Sequence, residues 1–270
     1  MINYAGQRVL GAFHRLAFIP SECYYLVVAV PMIQEDMQVI VCGPNRSGTS
    51  LMMRCLEMAG FKMAEDLTPG DKGNIYGYYE SERFMDLCYE VFSSLNLAKK
   101  PDLGVLRWRA SIDGLKKLLD KKGRWAWKAP FAVFILDELF EAGENVIAIY
   151  MSRPKADVVS SWIRFCEVKG FKDLPPMITD VKSLVGLYDQ SLEAFQAYRY
   201  KKLEVHFLEL VEDEKKVMNE VFDFLGLEAN YDCTAVDSGQ VHFRSGGAPR
   251  ASRNGKLTSN GCDIFPQDSQ

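Results

Sequence analysis

The chain has 270 residues, 48% of them hydrophobic and 25% charged, an ordinary globular usage that excludes a collagen-like, low-complexity or membrane-bundle composition. A chain of this length can bury a large core as one α/β domain. The formal charge of -4 argues against nucleic acid or an anionic membrane as a general partner, so any anion site has to be built locally.

The N-terminal stretch carries Arg8 and Arg15 and then the apolar run Tyr24 to Val30, which is too short to span a bilayer. Pro31 followed by Glu35 and Asp36 does not resemble a secretory cleavage site, so a cytoplasmic protein is expected. Residues 1–36 are read as an N-terminal extension, with the folded domain over 37–270. The cysteines, Cys23, Cys42, Cys55, Cys88, Cys166, Cys233 and Cys262, include no C-x-x-C pair and read as reduced, mostly buried thiols. With only His14, His206 and His242 beside them, no metal site is expected.

From Gln38 onward, short β-branched or aromatic runs alternate with helical patterns, as in β-α-β units around a parallel sheet. The strands are predicted at Gln38 to Cys42, Arg124 to Lys128, Asn145 to Met151 and Leu203 to Leu208. Helical spacing covers Thr49 to Ala59, Ser81 to Leu95, Ser111 to Lys121, Phe131 to Ala142, Lys155 to Val168, Asp180 to Tyr198 and Glu212 to Leu225. Gly60, Gly143, Gly170 and Gly226 stand just past four of these, where a left-handed C-terminal cap favours glycine. The fold class expected is a three-layer α/β/α domain with a mainly parallel central sheet.

Three segments carry the chemistry. The first is GPNRSGTS, Gly43 to Ser50, between a strand and a helix, where exposed backbone N–H groups cradle phosphate. Its glycine spacing is that of a P-loop, but Thr49 stands where a nucleotide triphosphatase needs Lys, and the cation is Arg46 instead. A plain glycine turn before a core helix is the competing reading. The second is YMSRPKADVVSSWIRF, Tyr150 to Phe165, with Arg153 at a strand end and Ser161 eight residues on, both able to reach one phosphate. The third is WAWKAP, Trp125 to Pro130, which puts Lys128 at the carboxyl edge of a strand.

The loop with its R-S-G-T-S, the Arg153/Ser161 spacing and the W-x-W-K segment together resemble the sulfotransferase family, particularly its bacterial and tyrosylprotein-type branch. The resemblance implies a P-loop NTPase-like fold and, as donor, 3′-phosphoadenosine 5′-phosphosulfate, without a metal. It places Asn45, Arg46, Ser47, Gly48, Thr49 and Ser50 on the 5′-phosphosulfate and Arg153 and Ser161 on the 3′-phosphate, to which a C-terminal arginine, Arg253 or its neighbours Arg244 and Arg250, would be added. Arg46 and Lys128 would steady the sulfuryl oxygens. The chain departs from the family at Ala129, where an Asp is usual.

The segment GNIYGYYESERF, Gly73 to Phe84, resembles the G-Y-x-E run of the bacterial branch, and Glu80 is the candidate base with Glu82 in reserve. A cap or first-turn carboxylate on the following helix is the alternative for Glu80, with Ser81 equally able to cap. Tyr76, Tyr78 and Tyr79, and Arg107, Trp108 and Arg109, are candidate linings for the acceptor, which could be a peptide, a glycan, a lipid or a small molecule. Against this reading stand a nucleotide-binding homologue that has lost catalysis and a P-loop kinase or nucleotidase.

Overall fold

The structure is a computed structural model, describing residues 36–74, 77–96, 101–169, 180–228, 231 and 235. The extension at 1–35, Tyr76, Gly170 and the C-terminal arginines Arg244, Arg250 and Arg253 lie outside the described residues.

Four parallel strands, β1 (Met37–Cys42), β2 (Arg124–Lys128), β3 (Val146–Ser152) and β4 (Lys202–His206), form one sheet in the order β2-β1-β3-β4. The period of two in β1 and β3 explains the layering. Ile40, Cys42, Val146, Ala148 and Tyr150 face one apolar cluster, while Met37, Val39, Val41, Ile147, Ile149 and Met151 face the other. Both faces of these strands are therefore buried, and their near-continuous apolar text is that of a parallel sheet covered on both sides.

On one face lie α2 (Glu82–Asn96), α3 (Pro101–Leu119), the 3-10 helix Pro130–Ile135, α4 (Leu136–Ala142) and α6 (Val181–Ala197); on the other lie α1 (Thr49–Met58), α7 (Phe207–Glu212) and α8 (Glu214–Leu225). The remaining helix, α5 (Lys155–Lys169), packs through Trp162 and Cys166 against Leu184 of α6. The chain leaves β1 for β2 on one side and crosses to β3 on the other. The loop after β1 thus sits at a topological switch point, where open α/β sheets hold their ligands.

Several boundaries differ from the sequence expectation. The helix predicted from Ser111 begins at Pro101, a residue that suits a first helical turn because it has no N–H to leave unpaired. The predicted Phe131–Ala142 helix divides into a 3-10 turn and α4. Phe131, Ala132, Val133 and Ile135 are all buried, so this turn has no polar face. The last strand stops at His206, and Phe207 and Leu208 open α7, because an apolar run this short suits strand and helix alike. Asp213 interrupts the predicted Glu212–Leu225 helix, leaving the helical backbone and accepting a hydrogen bond from Lys216 N as the cap of α8. Gly60 and Gly226 take the left-handed conformation expected of them, whereas Gly143 is extended.

Candidate functional site

The carboxyl ends of all four strands converge on one edge, and each delivers a candidate residue there: the Gly43–Gly48 loop after β1, Lys128 on β2, Arg153 after β3 and Phe207 after β4. The loop is tight by necessity. Gly43 lies at φ 134, and a Cβ on it would stand 2.5 Å from the Met151 carbonyl oxygen of the neighbouring strand. Gly48, at φ 102, caps α1, and a Cβ there would stand 2.3 Å from the Phe207 ring. Only glycine fits either place.

No side chain caps α1. Leu51 N and Met52 N both donate to Gly48 O, and a helix leaves its earlier amides, here those of Thr49 and Ser50, without an internal acceptor. Ser47 is fully buried, yet its Oγ has no hydrogen-bond partner among the described residues, and the same holds for Arg153 Nε. Buried polar atoms are nearly always paired, so two orphans at one helix N-terminus mark a place built for a polar ligand.

The cations around the loop define that ligand's charge. Arg46 occupies the left-handed region at φ 71, a strained position for a non-glycine residue. Its Nε donates to Ser161 Oγ at 3.3 Å and its guanidinium lies over the Phe165 ring, 5.0 Å from the centroid. Arg153 is 9% exposed; its Nη1 donates to the Arg46 carbonyl at 3.4 Å, and its guanidinium sits 4.3 Å over Phe207. Burial pulls both guanidinium pKa values down, and Arg46, Arg153 and Arg164 repel one another. The two motifs that stand apart in sequence are thus joined through Arg46, with Ser161 8% exposed between them. Asn45 sits half-buried in the turn, and Thr49 is buried at the helix start.

A second group of contacts gathers on Lys128, which is 4% exposed. Its ammonium donates to Tyr78 O at 2.7 Å and to Ser50 Oγ at 3.2 Å, and pairs with Glu80 Oε1 at 2.7 Å. Burial lowers its pKa, Glu80 opposes that shift and Arg46 adds to it. The Ser50 hydroxyl donates to Tyr78 O at 3.2 Å and accepts from Asn74 Nδ2 at 3.2 Å, so its backbone N–H is the group it still turns to the helix N-terminus.

The competing roles for Glu80 separate here. Ser81 is the cap of α2, its Oγ accepting from Phe84 N at 3.1 Å, while the Glu80 carboxylate pairs with Lys128. Glu82 is exposed in the first turn of α2. Tyr78 Oη donates to Asp71 Oδ1 and Tyr79 Oη to Glu57. Arg107 and Arg109 are exposed on α3, with Trp108 packed on the core. Ala129 is fully buried. Among the described residues no cluster of His, Cys, Asp or Glu is arranged to hold a metal ion, and no helix is long and apolar enough to cross a membrane.

Sequence reasoning missed Asn74, Asp71, Phe165 and Phe207. The D-K-G-N turn carried a signal for the first two: Asp71 Oδ1 accepts from Gly73 N and Asn74 N, an Asx turn, and this aims the Asn74 amide at Ser50.

The sequence profile of the Sulfotransferase family matches residues 38–231. No curated protein matches the chain by sequence. Among solved structures, it is similar to the sulfotransferase domain of the Synechococcus olefin synthase, at 19% identity over 74% of this chain and 78% of that one, with a TM-score of 0.44. It is also similar to a sulfotransferase of Mycobacterium tuberculosis, at 17% identity over 72% of this chain and 68% of that one, with a TM-score of 0.48. A mouse sulfotransferase complexed with PAP is 14% identical over 73% of this chain and 60% of that one, with a TM-score of 0.39.

Proposed function

The chain belongs to the sulfotransferase family, and from that premise we propose that it moves a sulfuryl group from 3′-phosphoadenosine 5′-phosphosulfate to a hydroxyl or amine acceptor by in-line displacement. The observation that carries the donor is the pair of buried, unpartnered atoms, Ser47 Oγ and Arg153 Nε, between cations at the uncapped start of α1.

The Ser47 hydroxyl and the N–H groups of Gly48, Thr49 and Ser50, with Asn45 at the turn, receive the 5′-phosphate, while Arg153 and Ser161 receive the 3′-phosphate, to which Arg253 of the tail, or its neighbour Arg244 or Arg250, is added. Arg46, already in contact with Ser161 and Arg153, spans the two ends of one nucleotide. Lys128 and Arg46 offset the negative charge on the sulfuryl oxygens as it shifts. Glu80 takes the acceptor's proton. The acceptor oxygen or nitrogen bonds to sulfur, the sulfur–oxygen bond to the 5′-phosphate breaks, and the bisphosphate leaves with that electron pair. No step requires a metal. The free thiols of Cys42, Cys55, Cys88 and Cys166 support a reducing, cytoplasmic setting.

Thr49 in place of the P-loop lysine opposes a kinase or nucleotidase. Ala129, sealed in the core where the family resemblance leads one to expect Asp, favours a binding protein without turnover as the second reading. Titration calorimetry with adenosine 3′,5′-bisphosphate and with ATP tests the donor site: the bisphosphate is expected to bind far more tightly, and equal affinity would overturn the reading. Sulfate transfer to any member of an acceptor panel then excludes the inactive homologue.

A further inference from the structure

Lys128 has no hydrogen left to give. An ammonium carries three N–H donors, and here they go to Tyr78 O, Ser50 Oγ and Glu80 Oε1 at 2.7, 3.2 and 2.7 Å. Taken literally, this geometry leaves the residue expected on the sulfuryl oxygens unable to touch one, and the carboxylate expected to take a proton already engaged by a cation. One of the three contacts has to be exchanged.

The structure says which one. Tyr78 O is a backbone atom, in a segment tied down by Tyr78 N donating to Thr68 O and by Tyr78 Oη donating to Asp71. Ser50 Oγ is fixed from three sides, by Lys128, by Asn74 and by its own donation to Tyr78 O. Asn74 is itself locked, donating to Gly77 O at 2.5 Å as well. Glu80 differs. Its backbone is held, its carbonyl accepting from Thr68 N at 2.7 Å and Thr68 Oγ1 at 3.1 Å, but its side chain is 21% exposed on rotatable bonds.

Charge explains why the exchange waits for the donor. An unpaired ammonium at this depth would be costly, so in the free protein Glu80 neutralises Lys128. A sulfuryl group is the replacement anion: it brings oxygens and negative charge to Lys128, and it repels the carboxylate it displaces. We infer that the donor's sulfuryl group takes the place of Glu80 on Lys128, so that Glu80 is released to act as a base only in protein that is already loaded with donor. This rests on the proposed donor and deepens it into an order of events. Donor binds first, the base is then freed beside the group to be transferred, and an acceptor meeting the empty enzyme finds Glu80 occupied.

The exchange has a signature separable from donor binding as such. Adenosine 3′,5′-bisphosphate ends at the 5′-phosphate and lacks the sulfuryl oxygens that reach on toward Lys128, so it competes with Glu80 less than the sulfated donor does. Dissociation constants for the sulfated donor and for the bisphosphate are measured by calorimetry on the full chain, wild type and Glu80→Gln. Removing the competing charge is expected to tighten the sulfated donor by about tenfold relative to the bisphosphate, as befits a partly exposed partner of a buried cation. Sulfate transfer by the variant is expected to collapse. An unchanged ratio of the two constants overturns the inference while leaving the donor assignment intact. Failure of wild type to bind either ligand overturns the donor assignment and the inference with it. Glu80→Asp, which keeps the charge but shortens the reach by one methylene, is the second variant; it is expected to shift the ratio in the same direction by a smaller factor, and a shift the other way overturns the exchange.

Discussion

Replacing Arg153 with Ala separates what this residue does for a ligand from what it does for the fold. In the free protein its guanidinium is 9% exposed, has an unpartnered Nε, donates one 3.4 Å hydrogen bond and covers Phe207. The bond and the cation–π contact contribute about 1 kcal/mol each. Desolvation of the cation and repulsion from Arg164 and Arg46 oppose them, while attraction to Asp157 adds to them. The variant's melting temperature is therefore expected to stay within about 4 °C of wild type, since 1 kcal/mol shifts a chain of this size by roughly 2–4 °C. The bound nucleotide loses more. A charged hydrogen bond contributes about 1.5–3 kcal/mol, and losing one to two of them costs about 3 kcal/mol, or about a hundredfold in affinity. Calorimetry with adenosine 3′,5′-bisphosphate and differential scanning calorimetry on the same samples read both numbers. Retained affinity, or a loss of affinity that only tracks a large fall in melting temperature, would refute the assignment of Arg153 to phosphate.

Gly48→Ala forces a Cβ into Phe207 at φ 102, which costs about 2 kcal/mol and lowers the melting temperature by about 5 °C, with loss of bisphosphate binding; an unchanged melt would mean that the loop relaxes freely. Burial pushes the Cys42 and Cys88 thiols up, and that of Cys55 from 9.0 to about 12, so iodoacetamide at pH 8 is expected to leave all three unmodified in native protein and to label them in urea, as read by peptide mass spectrometry. The same shifts set an alkaline limit. Above pH 9 unfolded thiols release protons that folded ones keep, so the unfolded state binds fewer protons and stability falls as pH rises from 9 toward 12. The buried hydroxyls of Tyr150 and Tyr198 add to this from their ordinary 10.0 upward, and a urea midpoint that rises over this range would contradict the burial.

Local pattern carried the sheet well. β1 and β3 were legible to within a residue because strands buried on both faces leave unbroken apolar text, and the strand at Arg124 to Lys128 was legible to the residue from its paired tryptophans. Helix ends were less legible where a turn has no polar face, as at Pro130–Ile135, or where one residue such as Asp213 both ends a helix and caps the next. In the site, spacing pointed to Arg46 and Lys128 singly and to Arg153 and Ser161 as a pair. It put Glu80 near Arg46 or Lys128 without deciding between them, because the Glu80–Lys128 contact joins a loop to a strand 48 residues away through Ser50 and Tyr78 O. Nor could it assign the α2 cap, which two adjacent residues were equally able to supply until Ser81 Oγ was seen to accept from Phe84 N.

The sheet's two outer strands bear on how copies of this chain meet. At one side Lys62 pairs with β2, its N–H donating to Arg124 O and its carbonyl accepting from Ala126 N, so a single residue occupies the start of that edge. At the other side β4 is only five residues long and alternates Lys202, Glu204 and His206 with Leu203 and Val205. A short strand bearing charges is a poor template for a further strand. Among the described residues, the two edges of the sheet therefore work against fibre-like growth by edge pairing.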